Sequence, residues 1–190
     1  GYGEVGSSPT EPKDPPPDDP LYLENYKLAR EHHLFIYYHL GHGHKENFER
    51  VLTANPDLNF IWHGDALSTG EIKEVLRKHP NAYYGIEGYQ EGDYNIFPLF
   101  VGKRKQAYLD AMNKNFDGLV DATVRTWRPV IESYPDQVIW GTDRGDAEWN
   151  YDVEVGQIMV KYARAFIGKL DPAVQEKVGY KNAERIIRGD

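Results

Sequence analysis

Cysteine is absent from the 190 residues, and methionine occurs only twice. Without thiols there is no disulfide scaffold, no thiolate nucleophile and no thiolate-bound zinc, so any metal must rest on His, Asp and Glu. Positive charge is also scarce: 22 Lys+Arg stand against 30 Asp+Glu, a net charge of −8, and the longest basic run is Lys103-Arg104-Lys105. Such a chain has no stripe that could displace counterions along a phosphate backbone, which argues against a nucleic-acid partner. No apolar run approaches the ~20 residues needed to cross a bilayer. The opening residues are Gly, Ser, Pro and acids, unlike a basic-then-apolar leader. The expectation is a soluble chain with no membrane partner, its compartment left open between cytoplasm and periplasm or exterior. Its length suits one domain or a piece of one, with a sizeable core.

Four short runs rich in β-branched and aromatic residues are present: 34–38 (LFIYY), 58–62 (LNFIW), 82–86 (AYYGI) and 137–140 (QVIW). Runs of about five such residues fit strands buried on both faces. Helical spacing lies between them, in Phe48/Val51/Leu52, Ile72/Val75/Leu76 and Val120/Val124/Trp127/Ile131. Ser68 and Glu71 form a capping box, and Asp171-Pro172 supplies an N-cap with proline at the first helical position. Residues 1–6 read as the end of a further strand, and 181–188 as a closing amphipathic helix. The proline-rich stretch 7–20 is expected as an exposed loop. Residues 88–118 are expected as a long loop, a mobile cover over a site.

The first three runs are each followed at once by a polar residue, His39, His63 and Glu87, at equal intervals of 24 (63 − 39 and 87 − 63). One repeated β/α unit explains that interval. Connections so short make the strands parallel, and the three residues then emerge at the same C-terminal edge of the sheet. Adjacent strands are only ~4.8 Å apart, so side chains there can converge on one ion or substrate.

His39 and His63 are therefore candidate metal ligands, since neutral imidazole is the commonest protein ligand for zinc and related ions. Two such histidines at one edge, with Asp143 and Glu4 added, favour ligation over simple hydrogen bonding in a barrel mouth. Glu4 lies in a glycine-rich turn that lets a carboxylate enter a crowded site; its alternative is a solvated acid. Asp143, just past the fourth run, can act as general base toward an activated water, or it pairs with Arg144 or caps a turn. Arg144 can clamp a substrate carboxylate, or serve a surface ion pair. His42 and His44 form an H-x-H pair between glycines, which fits a substrate-contacting loop or solvated side chains better than ligation. Asp65 and Glu87 are at most supporting residues behind the ligands, while His32, His33 and His79 read as surface residues.

Five segments in order, GYGEVG (1–6), IYYH ending at His39, FIWHG around His63, IWGTD ending at Asp143 and KNAERII (181–187), resemble the later half of an amidohydrolase-superfamily barrel. They are most similar to the amidohydrolase-related group that includes aminocarboxymuconate-semialdehyde decarboxylase-like enzymes, and the PPDDPLYL stretch (16–23) resembles one branch of it. The resemblance implies an α/β fold, a (β/α)₈ TIM-barrel fragment of parallel strands four to eight over residues 1–190. Glu4, His39, His63 and Asp143 would then end strands four, five, six and eight. It implies a divalent metal, zinc before others, a small-molecule substrate, and hydrolysis in which a metal-activated water attacks a carbonyl. Non-oxidative decarboxylation by the same residues is the sister reading; a non-catalytic half barrel serving assembly is the other class. The family's H-x-H motif of strand one has no counterpart here, and a full barrel needs ~250 residues. The missing N-terminal half or another chain is therefore expected to close the sheet, whose open edges would otherwise favour association.

Overall fold

The structure, a computed structural model, describes residues 1–6, 15–64, 66–86, 96, 99, 104–143 and 148–189. Five strands, β1 (Tyr2–Gly6), β2 (Ile36–His39), β3 (Phe60–His63), β4 (Ala82–Ile86) and β5 (Val138–Trp140), form one sheet in the order β1-β2-β3-β4-β5. Every pairing is parallel. Strands that neighbour one another in strict chain order make a barrel wall, whereas a doubly wound sheet reverses its order partway. The chain is thus an α/β protein whose sheet is consistent with part of a TIM barrel. Among the described residues β1 pairs only with β2, and β5 only with β4.

The helices are α1 (Pro20–Glu31), α2 (Lys45–Ala54), α3 (Thr69–Lys78), α4 (Lys105–Ile131), α5 (Val153–Ile167), α6 (Pro172–Glu176) and α7 (Asn182–Arg188). Three of them, α1, α3 and α6, start at a side-chain cap. Asp19 accepts a hydrogen bond from the Leu21 amide with Pro20 in the first turn. Ser68 and Glu71 complete both halves of the expected capping box, and Asp171 caps α6 ahead of Pro172.

Strand alternation divides the sheet into two faces. Ile36, Tyr38, Phe60, Trp62, Ala82, Tyr84, Ile86 and Val138 join Phe48, Val51, Ile72, Val75, Trp127 and Ile131 in the main core on the helix side. Tyr37, Ile61, Tyr83 and Ile139 form a smaller cluster on the other face with Ala183 and Ile186 of α7. Asn182, fully buried, fixes α7 there by donating to the carbonyls of Pro135 (2.8 Å) and Val138 (2.7 Å) at the start of β5. The C-terminal edge of the sheet is left to the loops above the strand ends.

Three expectations change. The end of the 88–118 stretch is helix, because α4 begins at Lys105 and buries Tyr108, Leu109 and Met112; residues 87–95, 97–98 and 100–103 lie outside the described residues, so the cover itself is not described. Residues 7–14 lie outside them too, but Pro17 is buried, with its carbonyl accepting from the Tyr26 hydroxyl, and Pro20 opens α1 instead of lying in an exposed loop. His79 is buried, not on the surface: it ends α3 where the chain turns into β4, and its Nε2 faces Glu49 at 3.8 Å.

The α2–β3 turn is tied to the start of β4 by one amide. Asn81 Nδ2 lies 2.9–3.2 Å from the carbonyl oxygens of Leu52, Asn55 and Leu58, and the residue is 7% exposed. Asn81→Ala leaves these buried acceptors short of a donor, at a cost of about 2 kcal/mol. For a chain of this size the melting temperature should fall by about 4–8 °C. An unchanged melt would mean that the turn holds without the amide.

Candidate metal centre

The strand register brings His39 directly opposite His63, and Gly6 opposite His39. Both imidazoles project from the face opposite the helix-side core, the same face as Tyr37 and Ile61 and one pair further along the strands. Glu4 reaches the same face through an irregularity in β1: Tyr2 pairs with Ile36 but Val5 pairs with Tyr38, so β1 carries one extra residue between these points. Such a bulge re-aims a side chain locally. Gly3 permits it, with φ at +137°, and a Cβ there would lie 2.3 Å from the Tyr37 carbonyl oxygen.

One carboxylate oxygen, Glu4 Oε1, sits 3.0 Å from His39 Nδ1 and 2.8 Å from His63 Nε2. The two rings are tilted against each other at 4.5 Å between centroids, and Tyr37 covers His63 at 5.0 Å. Burial grades across the cluster: His63 is 3% exposed, His39 is half-buried and Glu4 opens to solvent. Hydrogen bonds from His39 and His63 hold the Glu4 carboxyl far below the usual carboxylate range, so it remains an anion. With a proton on each facing nitrogen, both rings donate to Glu4; without those protons, two nitrogen lone pairs and a carboxylate face one point.

This donor set suits a divalent ion. The three ligand atoms all lie within 4.8 Å of one another, and among the described residues no other group of three His, Asp or Glu side chains does so. Nitrogen and oxygen ligands at ~2.0–2.2 Å around a tetrahedral ion stand ~3.4 Å apart, so the hydrogen-bonded contacts need to open by only a few tenths of an ångström. Two imidazoles and a carboxylate are the ligand types that zinc and related ions take, and three protein ligands leave a position for substrate or water.

The other sequence candidates stand elsewhere. Asp143 follows β5 at the same end of the sheet, with φ at +46° and an exposed side chain, and it is not part of the three-ligand group. The strand end beneath it is tied down by the Gly141 amide donating to the Ile86 carbonyl. His42 occupies an exposed turn between β2 and α2, and His44 immediately precedes α2. Arg144, Asp65 and Glu87 lie outside the described residues. Sequence reasoning missed the residues packed around the histidines: Tyr37 over His63, and Gly6 and Gly64 on either side of His39. These are tertiary contacts, and no local sequence signal marks them.

A parallel β/α sheet with two histidines and a carboxylate gathered at its C-terminal edge has the layout of a β/α enzyme whose chemistry sits at that edge. Residues 3–189 match the family model described as Amidohydrolase, and the chain belongs to that family of typically metal-dependent enzymes acting on small molecules. Comparison with curated proteins and with solved structures gives no match. Among the described residues no helix is long and apolar enough to cross a membrane.

Proposed function

We propose that β1 to β5 are strands four to eight of an amidohydrolase barrel, and that the protein hydrolyses a small carbonyl-type substrate with a divalent ion, zinc before others, held by Glu4, His39 and His63. The observation that carries this reading is the single Glu4 oxygen set between two imidazole nitrogens at the C-terminal edge of a parallel sheet. A bound divalent ion supplies Lewis acidity toward a carbonyl and makes water more acidic. The chain's own residues divide the remaining work. His63, buried beneath Tyr37, holds its nitrogen in a water-poor position facing the reacting atoms, and the ionised Glu4 balances the charge of the ion. Asp143, past β5 at the same edge, accepts the proton released by the attacking water. His42, in the exposed turn after β2, contacts the substrate, and Arg144 has the chemistry to clamp a substrate carboxylate. Strands that cover the free sides of β1 and β5, from a further segment or another chain, complete the enclosure.

The GTD and NAxR segments, which resemble the decarboxylase-like group, favour a second reading: non-oxidative decarboxylation of an aromatic or unsaturated acid at the same residues. Product analysis of the zinc-loaded protein against a panel of esters, amides and unsaturated acids tests both. Cleavage with incorporation of water and no release of carbon dioxide is expected; release of carbon dioxide without hydrolysis would replace the hydrolase reading. Inertness of the closed, zinc-loaded assembly toward every class would favour the non-catalytic assembly role.

A further inference from the structure

His39 is the less buried of the two histidines, and its ring is set by backbone on the side away from Glu4. Its Nδ1 edge faces Glu4 at 3.0 Å. Its opposite edge lies against Gly64: a Cβ on that residue would stand 2.8 Å from His39 Cδ2 and 2.9 Å from His39 Nε2, too close for any real side chain. Gly64 also has φ at +102°, in the region L residues rarely adopt, so both its conformation and its missing side chain define the space the imidazole fills.

The Gly64 carbonyl is held in turn. The Tyr84 hydroxyl donates to it at 2.9 Å, from the next strand. Tyr84 is 5% exposed, and its ring is locked between Trp62 (5.1 Å, edge-on) and Trp127 of α4 (5.3 Å, stacked). A phenol fixed in the helix-side core thus reaches the strand end and holds the glycine that walls the outer edge of the His39 ring. No side-chain contact between Tyr84 and the histidine is needed for this.

We propose that Gly64 and Tyr84 are positioning residues for His39: Gly64 supplies the space and Tyr84 the anchor that hold the imidazole with Nδ1 toward Glu4 and His63. The proposal rests on the metal-site reading above and extends it to residues that would supply no donor atom to the ion. Partners of this kind commonly change metal affinity by about 10–100-fold.

The test uses Gly64→Ala and Tyr84→Phe, with Zn²⁺ alone as the probe and a chromogenic chelator as competitor. Gly64→Ala is expected to weaken zinc binding by about 10–100-fold, and Tyr84→Phe by about 10-fold, with the far-UV spectrum unchanged in both. A merely structural role would lower the melting temperature of the metal-free protein while leaving the zinc affinity, measured well below the melt, at the wild-type value; that result would overturn the proposal. Should Gly64→Ala fail to fold, Tyr84→Phe decides, because it keeps the ring between Trp62 and Trp127 and removes only the hydroxyl. If the wild type takes up no zinc, the metal reading fails first, and the positioning role is read from imidazole NMR of the metal-free chain. Displaced His39 ring signals with unmoved His32 signals in both variants would sustain it, and unmoved His39 signals would end it.

Discussion

His63→Ala is expected to abolish stoichiometric binding of a divalent ion at micromolar metal. His63 is the most buried member of the cluster, 3% exposed and packed against Tyr37, and among the described residues no further His, Asp or Glu joins the group to replace its Nε2. Removing it leaves one imidazole and one carboxylate. Three-ligand sites depend on the convergence of all three donors, and losing a third of the donor set should lower affinity by ~10³-fold or more. His39→Ala should act in the same direction. The helix-side core does not include His63, so the variant is expected to stay folded, with a loss of melting temperature confined to the small void beside Tyr37. Competition titration with a chromogenic chelator, alongside circular dichroism, checks this. Wild-type affinity in a folded His63→Ala protein would remove His63 from the ligand set.

Asp143→Asn is the second large effect expected, a fall in turnover of ~10²-fold or more with metal content and substrate binding little changed. Asparagine keeps the shape and most of the hydrogen-bonding capacity of the carboxylate but cannot accept the proton. Asp143 sits beyond β5, exposed and outside the Glu4–His39–His63 group, which suits a group that works on the substrate side of an ion better than one that holds it. If Asp143 only caps its turn, stability and rate should fall together, and the folded fraction should keep its catalytic constants. Near-normal turnover would exclude Asp143 from the chemistry.

The middle of the sheet was legible because β2, β3 and β4 are short apolar runs whose ends recur at a fixed interval. His39 and His63 come 24 residues apart, and in the parallel register they stand directly opposite one another. Composition also directed any metal to His, Asp and Glu. Glu4 was legible as a candidate but not in its geometry, since the extra β1 residue that turns it onto the histidines depends on backbone conformation at Gly3. The start of α4 was obscured by the aromatic and glycine-rich stretch before it, although Tyr108, Leu109, Met112, Leu119 and Val120 already carry helical spacing. Helix α5 carries the same signal in Val155, Ile158, Met159, Tyr162 and Phe166. His79 misled because its polarity suggests a surface, whereas burial there is set by where α3 meets β4. The wall that Gly64 forms against His39 depends on tertiary contact, and a lone glycine after a histidine does not reveal it.

The central claim is that Glu4, His39 and His63 jointly hold a divalent ion, and the position of the ion tests it most directly. Anomalous scattering at the zinc edge, from crystals of the protein grown with one equivalent of Zn²⁺, should place a single peak ~2.0–2.2 Å from His39 Nδ1, His63 Nε2 and a Glu4 carboxylate oxygen. The Glu4 to histidine contacts, now 2.8 and 3.0 Å, should widen to ~3.4 Å. A peak elsewhere, or no peak with both hydrogen bonds from the histidines to Glu4 intact, would contradict the account.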